Sequence, residues 1–292
     1  MPELPEVETI RRQLEREIKG ATIKSIEVRN SKPLNVPPKK FISAVRGAKI
    51  KDIERRAKLL IFKLSNGNNL LFHLKMTGRM LLVSKKEPPT KHTHVVFNLT
   101  PSSSSPSKGG RRGGGAYNLF FEDYRKFGFV KLIKNEELNP YLERQGYGPE
   151  PFSSQFTYQA MKACLLAHKN KRLKDILMDQ TCIAGIGNIY AAEICFFAGV
   201  RPSRKIADIK EIEFKKIFNG AKKILKSAIG SHGSSSDSYI DAFGKQGTFV
   251  PKLKVYGREG KKCIRCGGTV VKEKLGGRGT YFCPKCQKQK FP

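Results

Sequence analysis

Four cysteines near the end of the chain constrain its fold more than any other feature. Cys263 and Cys266 form one Cys-x-x-Cys pair, Cys283 and Cys286 form a second, and residues 267–282 lie between the pairs. This spacing is typical of a zinc ribbon, in which four thiolates bind one ion and leave no position open for water. We therefore predict one structural Zn²⁺, because so short a segment needs the binding energy of a metal in order to fold.

The charge of the chain indicates what it binds. Its 292 residues, enough for two domains, include 56 Lys and Arg against 25 Asp and Glu, a formal net charge of +31. Such an excess suits a polyanion, because each phosphate that a cation neutralises releases counterions. On charge alone, a ribosomal or other non-enzymatic basic protein remains an alternative.

Three further features of composition bear on location. The chain has no apolar run long enough to span a membrane. Pro2 and the early acidic residues stand where a signal peptide would be basic and then apolar. Seven cysteines, four of them in the C-terminal cluster, suggest a reducing compartment and a metal site rather than disulfides. We expect a cytoplasmic monomer with no membrane partner.

Hydrophobic periodicity predicts an N-terminal helix followed by a β-rich region. Val7, Ile10 and Leu14 recur at helical spacing, and Gly20 ends that pattern. Over about residues 21–133, short apolar runs alternate with turns, which predicts an antiparallel β-sandwich. The predicted strands are Ile23–Val28, Ile50–Arg55, Leu59–Leu64, Leu70–Leu74, Arg79–Val83, His94–Leu99 and Tyr117–Glu122.

One segment interrupts the strand pattern. Residues 101–115 are rich in Ser, Gly and Pro and include Lys108, Arg111 and Arg112. Such a composition cannot bury apolar area, so we expect a flexible, solvated loop. A basic arm that contacts nucleic acid is the alternative for this segment.

The overall prediction is an α+β fold with a helical second domain. The run from Tyr147 to Pro151 breaks helices and marks a boundary, and helical spacing resumes beyond it. We predict an N-terminal helix and β-sandwich domain over residues 1–138, a linker over 139–155, a helical domain over 156–250 and the zinc ribbon over 251–292.

The N-terminus carries candidate catalytic chemistry. If Met1 is removed, Pro2 presents a secondary amine whose pKa, near ~8, leaves more of it neutral than a lysine with a pKa near ~10. A neutral amine can attack a sugar C1′, and a secondary amine then yields an iminium that stays cationic. Glu3 is placed to donate and accept protons at the same centre. Alternatively, Pro2 affects only N-terminal processing and the acids cap a helix.

Three motifs resemble those of one enzyme family. The run from Pro2 to Glu8 is similar to the N-terminus of the bacterial formamidopyrimidine-DNA glycosylases, which excise oxidised purines. Gly185 to Ala191 resembles the helix–two-turn–helix motif of that family, and residues 255–260 also match. The resemblance runs from Pro2 to Lys288, with residues 101–115 as its main gap.

The resemblance implies a bifunctional DNA glycosylase and AP lyase of base excision repair in a bacterium. Its partner would be double-stranded DNA with an oxidised base, such as 8-oxoguanine or a formamidopyrimidine, or with an abasic site. Pro2 would form the Schiff base and Glu3 would transfer protons. Lys58 would contact phosphate and donate a proton in β-elimination, and Arg278 would do so in δ-elimination.

The resemblance also implies residues that contact DNA. Met76 would fill the gap that a flipped base leaves, Arg125 would face the orphaned partner base, and Phe127 would wedge between base steps. The remaining implied contacts are His73, His92, Lys169, Lys174 near the base pocket and Asn188 at a phosphate. In this family, the loop that matches residues 230–247 covers the flipped base. We assign no single contact within it.

Two other functions stay open. An enzyme similar to endonuclease VIII would act on oxidised pyrimidines, but that branch typically has Gly where Leu4 stands. A non-catalytic DNA-binding zinc-ribbon protein would not need Pro2 and Glu3. A cleavage assay separates this non-catalytic alternative from the enzyme that we predict. Borohydride trapping on duplexes with 8-oxoguanine or an oxidised pyrimidine separates the other.

Overall fold

The computed structural model describes residues 1–100, 117–234 and 239–289. They belong to two compact units, one within residues 1–144 and 232–248 and the other within residues 145–231 and 249–292. The predicted loop of residues 101–115 lies outside the described residues. The division differs from the predicted boundaries because Ser234, Tyr239, Asp241 and Ala242 form hydrogen bonds with the first helix of the N-terminal unit.

The N-terminal unit is a β-sandwich. Its strands are β1 (Ile23–Val28), β2 (Ile50–Arg56), β3 (Leu59–Leu64), β4 (Asn68–His73), β5 (Gly78–Ser84), β6 (Thr93–Leu99), β7 (Tyr117–Asp123) and β8 (Phe129–Lys134). Its helices are α1 (Leu4–Ile18), α2 (Pro38–Val45) and α3 (Asn135–Arg144). Two four-stranded antiparallel sheets, ordered β1-β6-β7-β5 and β2-β3-β4-β8, confirm the predicted antiparallel sandwich.

Aromatic and aliphatic side chains from both sheets form one core. The ring of Phe72 on β4 lies 5.9 Å from that of Phe97 on β6 and 6.1 Å from that of Phe121 on β7. Val7, Ile10 and other apolar residues of α1 join the same core. The amphipathic pattern of α1 therefore anchors the N-terminal end of the chain on the sandwich.

Three elements of this unit were not predicted. They are α2, β8 and α3, of which α3 occupies the first part of the stretch predicted as a linker. Pro140 lies inside α3 and argues against a helix, because proline removes a backbone donor. Leu138, Tyr141 and Leu142 nevertheless pack with Ile61 and its neighbours, and this tertiary packing outweighs the local signal.

The C-terminal unit is helical and ends in a β-hairpin. Its elements are α4 (Tyr158–Ala167), α5 (Leu173–Leu177), α6 (Asn188–Ala198), α7 (Glu211–Gly230), β9 (Val271–Leu275) and β10 (Arg278–Phe282). Buried residues of α4 to α7 share a core around the fully buried Tyr190. No helix in the described ranges has both the length and the apolar character needed to cross a membrane.

One expectation about the cysteines is wrong. Cys164 on α4 and Cys182 form a disulfide with their Cα atoms 5.8 Å apart, whereas the sequence suggested a metal site rather than disulfides. The two residues are 18 positions apart and meet because α4 packs in the same core as the turn before α6. Nothing in their spacing along the chain indicated this approach.

Candidate catalytic and nucleic-acid-binding sites

The predicted nucleophile lies at the start of α1. Pro2 and Glu3 are both buried, and the Glu3 N–H donates to Oε2 of Glu6 at 2.9 Å. Pro5 stands in the first turn of the helix, where a missing N–H costs nothing. The backbone that carries Pro2 is therefore held by the N-terminus of a helix whose apolar face is in the core.

A distant segment of the chain closes on the same helix. The other oxygen of Glu6, Oε1, accepts the Ser234 N–H at 2.7 Å, and the Tyr239 hydroxyl donates to the Glu6 carbonyl at 3.4 Å. Gly233 has φ +81°, and a β-carbon there would lie 2.9 Å from the Glu6 side chain. Residues 235–238 of the predicted base-covering loop lie outside the described residues, but both of its described flanks bond to Glu6.

Lys58 is buried, 5% exposed, directly before β3. The preceding residue, Ala57, has φ +53°, a left-handed conformation that is unfavourable for any residue with a β-carbon. Arg55 donates to the Ala57 carbonyl at 2.8 Å and to Oε2 of Glu8 at 2.9 Å. A chain of bonds thus runs from α1 through Arg55 to the turn that carries Lys58.

Glu8 is the centre of a charged cluster on α1. Burial alone would raise the pKa of Glu8, but hydrogen bonds from Arg11 and Arg12 and the charge of Arg55 outweigh it and lower the pKa to about 2. The carboxylate is therefore ionised at neutral pH, which keeps Arg55 paired.

His73 ends β4, opposite Leu59, the residue after Lys58. Burial first, and then the charges of Lys75 and Lys58, lower the pKa of His73 to about 3, so its ring is neutral at pH 7. The Lys75 N–H donates to Nδ1 at 2.9 Å, which leaves the ring proton on Nε2. The His73 ring can therefore donate a hydrogen bond through Nε2 rather than act as a cation.

The three predicted intercalating residues stand on two exposed loops. Met76 is 41% exposed and lies in the turn between β4 and β5. Phe127 is 55% exposed, and the Arg125 guanidinium lies 5.2 Å from the centre of its ring. His92 packs on Tyr124, the residue before Arg125, with ring centres 4.0 Å apart.

The C-terminal unit holds a second group of predicted residues at the β9–β10 hairpin. Arg278 is exposed at the start of β10, directly after Gly277. Asn188, the first residue of α6, donates from Nδ2 to the Gly279 carbonyl at 3.1 Å, and Lys174 donates to the Thr280 hydroxyl at 2.5 Å. Lys174 is 1% exposed and supports the hairpin from within its own unit, whereas Lys169 is exposed.

The four predicted zinc ligands come together. The Sγ atoms of Cys263, Cys266, Cys283 and Cys286 all lie within 4.8 Å of one another. Four thiolates at about 2.3 Å from a zinc ion stand roughly 3.8 Å apart, so the cluster fits one tetrahedral structural Zn²⁺. When bound, the ion would cross-link the ends of the ribbon and take no part in the reaction.

A buried carboxylate connects the ribbon to α6. Glu193 accepts the N–H groups of Lys254, Val255 and Tyr256, each at 2.9 Å. Burial raises the pKa of Glu193, and these three backbone donors act in the opposite direction. The segment before Cys263 is therefore fastened to the helix that Asn188 begins.

Sequence reasoning assigned no role to four acidic residues that organise these sites. They are Glu6, Glu8, Asp123 and Glu193. The spacing of Glu3 and Glu6 matches a capping box, and Asp123 two residues before Arg125 matches an Asx turn, so both had a local signal. Glu8 bonds to Arg55, 47 positions away, and Glu193 bonds to Lys254, 61 positions away. No local sequence pattern indicates contacts at such distances along the chain.

Three family models match the chain in order. They are the formamidopyrimidine-DNA glycosylase N-terminal domain at residues 1–130, the H2TH domain of the same enzyme at residues 147–239, and the zinc finger found in FPG and IleRS at residues 260–289.

Whole-chain relatives agree with these matches. The chain is 41% identical over 289 residues to the formamidopyrimidine-DNA glycosylase of Carboxydothermus hydrogenoformans, a match that covers 99% of this chain and 100% of the relative. It is 37% identical over 289 residues to that of Listeria monocytogenes, with the same coverage.

Solved structures of Lactococcus lactis Fpg are similar to this chain throughout. A complex of a point mutant of that enzyme with DNA containing Fapy-dG has a TM-score of 0.88 at 34% identity and covers 99% of this chain and 100% of that one. A complex with abasic-site DNA has a TM-score of 0.89 at 34% identity and covers 98% and 100%. A complex with DNA containing an oxidised pyrimidine has a TM-score of 0.88 at 35% identity and covers 99% and 100%. The chain therefore belongs to the formamidopyrimidine-DNA glycosylase family and is a DNA glycosylase with a zinc-finger region.

Proposed function

We propose that this protein removes oxidised purines from duplex DNA and then cleaves the abasic site by β,δ-elimination. The observation that carries the proposal is the start of α1, where Pro2 and Glu3 are buried together and Glu6 bonds to the Glu3 backbone. Relatives of known structure hold DNA with Fapy-dG or an abasic site, which supports the same substrate class.

The first step uses the amine of Pro2 after removal of Met1. The nitrogen lone pair forms a bond to C1′ as the bond between C1′ and the base breaks, and the base leaves with a proton. Glu3 moves protons at the sugar, so that the ring opens and the nitrogen becomes an iminium. The cationic iminium then withdraws electrons from the sugar, so that C2′ loses a proton and the 3′ phosphate leaves as the C2′–C3′ double bond forms.

The two eliminations need proton transfer beside phosphates. Lys58, held by the Glu8–Arg55–Ala57 bonds, is our candidate for the β-elimination step. Arg278, at the start of β10, is our candidate for the δ-elimination step. The proposed contacts that hold the damaged strand are His73, His92, Lys169 and Asn188. Lys174, which is buried and bonds to Thr280, is proposed to act through the hairpin that it supports.

Opening of the duplex needs groups that replace the lost stacking. Met76, Arg125 and Phe127 are exposed on short loops of the same unit, which suits side chains that enter a base stack. An apolar wedge compensates for unstacking, and a guanidinium can bond to the orphaned base.

Borohydride trapping tests the proposal most directly. Reduction of the iminium by hydride should join protein and DNA through a stable amine that maps to the N-terminal peptide and not to Lys58. A variant with an uncleaved N-terminal extension converts the amine to an amide and should lose trapping and excision while still binding the lesion. An extended protein that excises at the native rate would overturn the proposed nucleophile.

Glu3→Gln should slow base excision more than cleavage of a preformed abasic site.

The lesion itself has one competing assignment. A relative is known in complex with DNA containing an oxidised pyrimidine, which favours testing that class as a second candidate. Matched duplexes with 8-oxoguanine or an oxidised pyrimidine, assayed under single turnover, should show faster excision of the purine. Action as a monomer and a cytoplasmic location stay predictions from the sequence.

A further inference from the structure

The two loops that carry the intercalating residues meet at one buried carboxylate. Asp123 is the last residue of β7 and is 1% exposed. Its Oδ1 accepts the Thr77 hydroxyl at 2.5 Å and the Arg125 N–H at 3.1 Å. Its Oδ2 accepts the Gly128 N–H at 2.7 Å. Asp123 therefore bonds to both ends of the Arg125–Phe127 loop and to Thr77, the last residue of the Met76 loop.

Thr77 makes a second link between the same loops. It directly follows Met76, and its hydroxyl oxygen accepts the Arg125 N–H at 3.0 Å while its hydroxyl proton goes to Asp123. Thr77, Asp123 and the Arg125 backbone thus form a closed triangle of hydrogen bonds. Movement of either loop alone would break at least one of these bonds.

The Arg125–Phe127 loop is closely packed where it ends, at Gly128. A β-carbon at Gly128 would lie 3.0 Å from the His73 carbonyl oxygen and 3.2 Å from Oδ2 of Asp123. The end of the Arg125–Phe127 loop therefore packs against the end of β4. The side chains of Met76 and Phe127 nevertheless remain exposed. The backbone of both loops is fastened while the two wedges are left accessible.

We propose that Asp123 is a positioning residue that holds the Met76 loop and the Arg125–Phe127 loop in one fixed arrangement, so that both enter the duplex together. The proposal rests on the proposed function. A pre-arranged pair of loops does not have to be ordered at the moment of binding, which lowers the cost of opening the base stack. Loops that moved independently would fill the gap and face the orphaned base in separate, slower steps.

Asp123→Asn tests the proposal. The amide keeps the shape of the carboxylate, but only its oxygen can accept a hydrogen bond, whereas both oxygens of Asp123 do so. Single-turnover excision of a lesion in a paired duplex should slow by about tenfold to a hundredfold, the effect of leaving one buried donor unsatisfied. Excision of the same lesion in an unpaired bubble should change little, because the base there is already unstacked. Stopped-flow fluorescence of 2-aminopurine beside the lesion should show the slower opening directly.

The neighbouring residue provides a matched control. Glu122 is also buried, at 2% exposed, and accepts the hydroxyls of Thr90 and Thr93 at 2.8 and 2.7 Å. Glu122→Gln removes a comparable carboxylate from the same strand without touching either loop. It should leave the ratio of duplex to bubble excision at the wild-type value. Equal ratios for Asp123→Asn and Glu122→Gln would overturn the positioning role.

Thr77 supplies a milder variant in case Asp123→Asn does not fold. Thr77→Val removes the hydroxyl and should lower the duplex-to-bubble ratio, whereas Thr77→Ser keeps the hydroxyl and should restore it. Combined with Asp123→Asn, Thr77→Val should add little, because both changes remove the same bond. Fully additive effects would contradict a shared link. Absence of excision by the wild-type protein on both substrates would instead overturn the proposed function.

Discussion

Each unit of the molecule presents one of the proposed DNA-contacting arginines beside the end of a strand, Arg125 in one unit and Arg278 in the other. The surrounding structure supports the two arginines differently. Arg125 follows β7 in a four-stranded sheet whose inner face is covered by a second sheet. Arg278 begins one strand of a two-stranded hairpin. An isolated pair of five-residue strands is at best marginally stable, whereas a sandwich with an aromatic core is stable by itself.

The hairpin therefore depends on specific attachments. Zinc would join its base, Glu193 fastens the segment before it, and Asn188 and Lys174 bond to Gly279 and Thr280. Arg201 adds an ion pair to Glu273 at 2.9 Å, and its guanidinium lies 4.5 Å from the centre of the Phe282 ring. Loss of one attachment should loosen the hairpin without unfolding the sandwich, and this contrast can be tested.

Removal of the metal should have the largest effect. Cys283→Ser, or a chelator, should disorder the hairpin and withdraw Arg278, so lesion-DNA affinity should fall on the order of tenfold or more. Hydrogen exchange should accelerate in residues 260–289 and stay slow in β3, β4 and β7. Arg278→Ala should weaken binding with zinc retained, and Cys195→Ala should keep zinc because Cys195 is a buried thiol outside the cluster. Unchanged DNA affinity after zinc loss would exclude the ribbon from the binding surface.

Glu193→Gln should come next, because it breaks the attachment of the ribbon and leaves the ligands intact. Three backbone donors lose a charged acceptor, which should reduce the free energy of unfolding of the C-terminal unit by about 2 kcal/mol. Urea unfolding followed by hydrogen exchange in both units would measure this. Exposed Glu211 serves as the control, since Glu211→Gln removes only a surface bond to Lys162 and Tyr158. An equal loss of stability in both units would contradict the conclusion that Glu193 supports only the C-terminal unit.

The pH dependence of Glu8 should produce a smaller effect, confined to the N-terminal unit. The pKa of Glu8 is lowered from 4.5 to about 2 in the folded chain, so its ionised form stabilises the fold above pH 4.5 and this stabilisation is lost as pH falls towards 2. Glu8→Gln should therefore be less stable than wild type by about 1–2 kcal/mol at pH 7, after allowance for solvent screening. The difference between the two proteins should shrink from pH 4.5 downwards.

The control for that experiment is Glu27, an exposed carboxylate paired with Arg29. Glu27→Gln should change stability little at any pH. If the difference between Glu8→Gln and wild type stayed constant from pH 7 to pH 3, Glu8 would not be the group responsible.

Replacement of residues 101–115 by a two-residue turn should have the smallest effect. The composition of the segment predicts that it does not contribute to a core, so stability and lesion excision should be nearly unchanged. If Lys108, Arg111 and Arg112 contact phosphates, the slope of log affinity against log salt should fall by up to about three. A collapse of stability would show that the segment contributes to the core.

The sequence by itself determined the features that depend on local spacing and composition. The zinc ligands, the start of α1 and seven strands of the sandwich follow from patterns a few residues long, and the structure places them within a few positions of the predictions. Such patterns suffice because tetrahedral thiolate ligation, helical periodicity and strand alternation each impose their own repeat.

Only the tertiary structure decided which polar groups hold these features in place. Asp123 meets Thr77 from 46 positions away, Glu8 meets Arg55 from 47, and Glu6 meets Ser234 from 228. The same holds for α3, where packing outweighs Pro140, and for the approach of Cys164 to Cys182. A buried polar group must find a partner wherever the packed core brings one, and that place is set by the whole fold rather than by the neighbouring sequence.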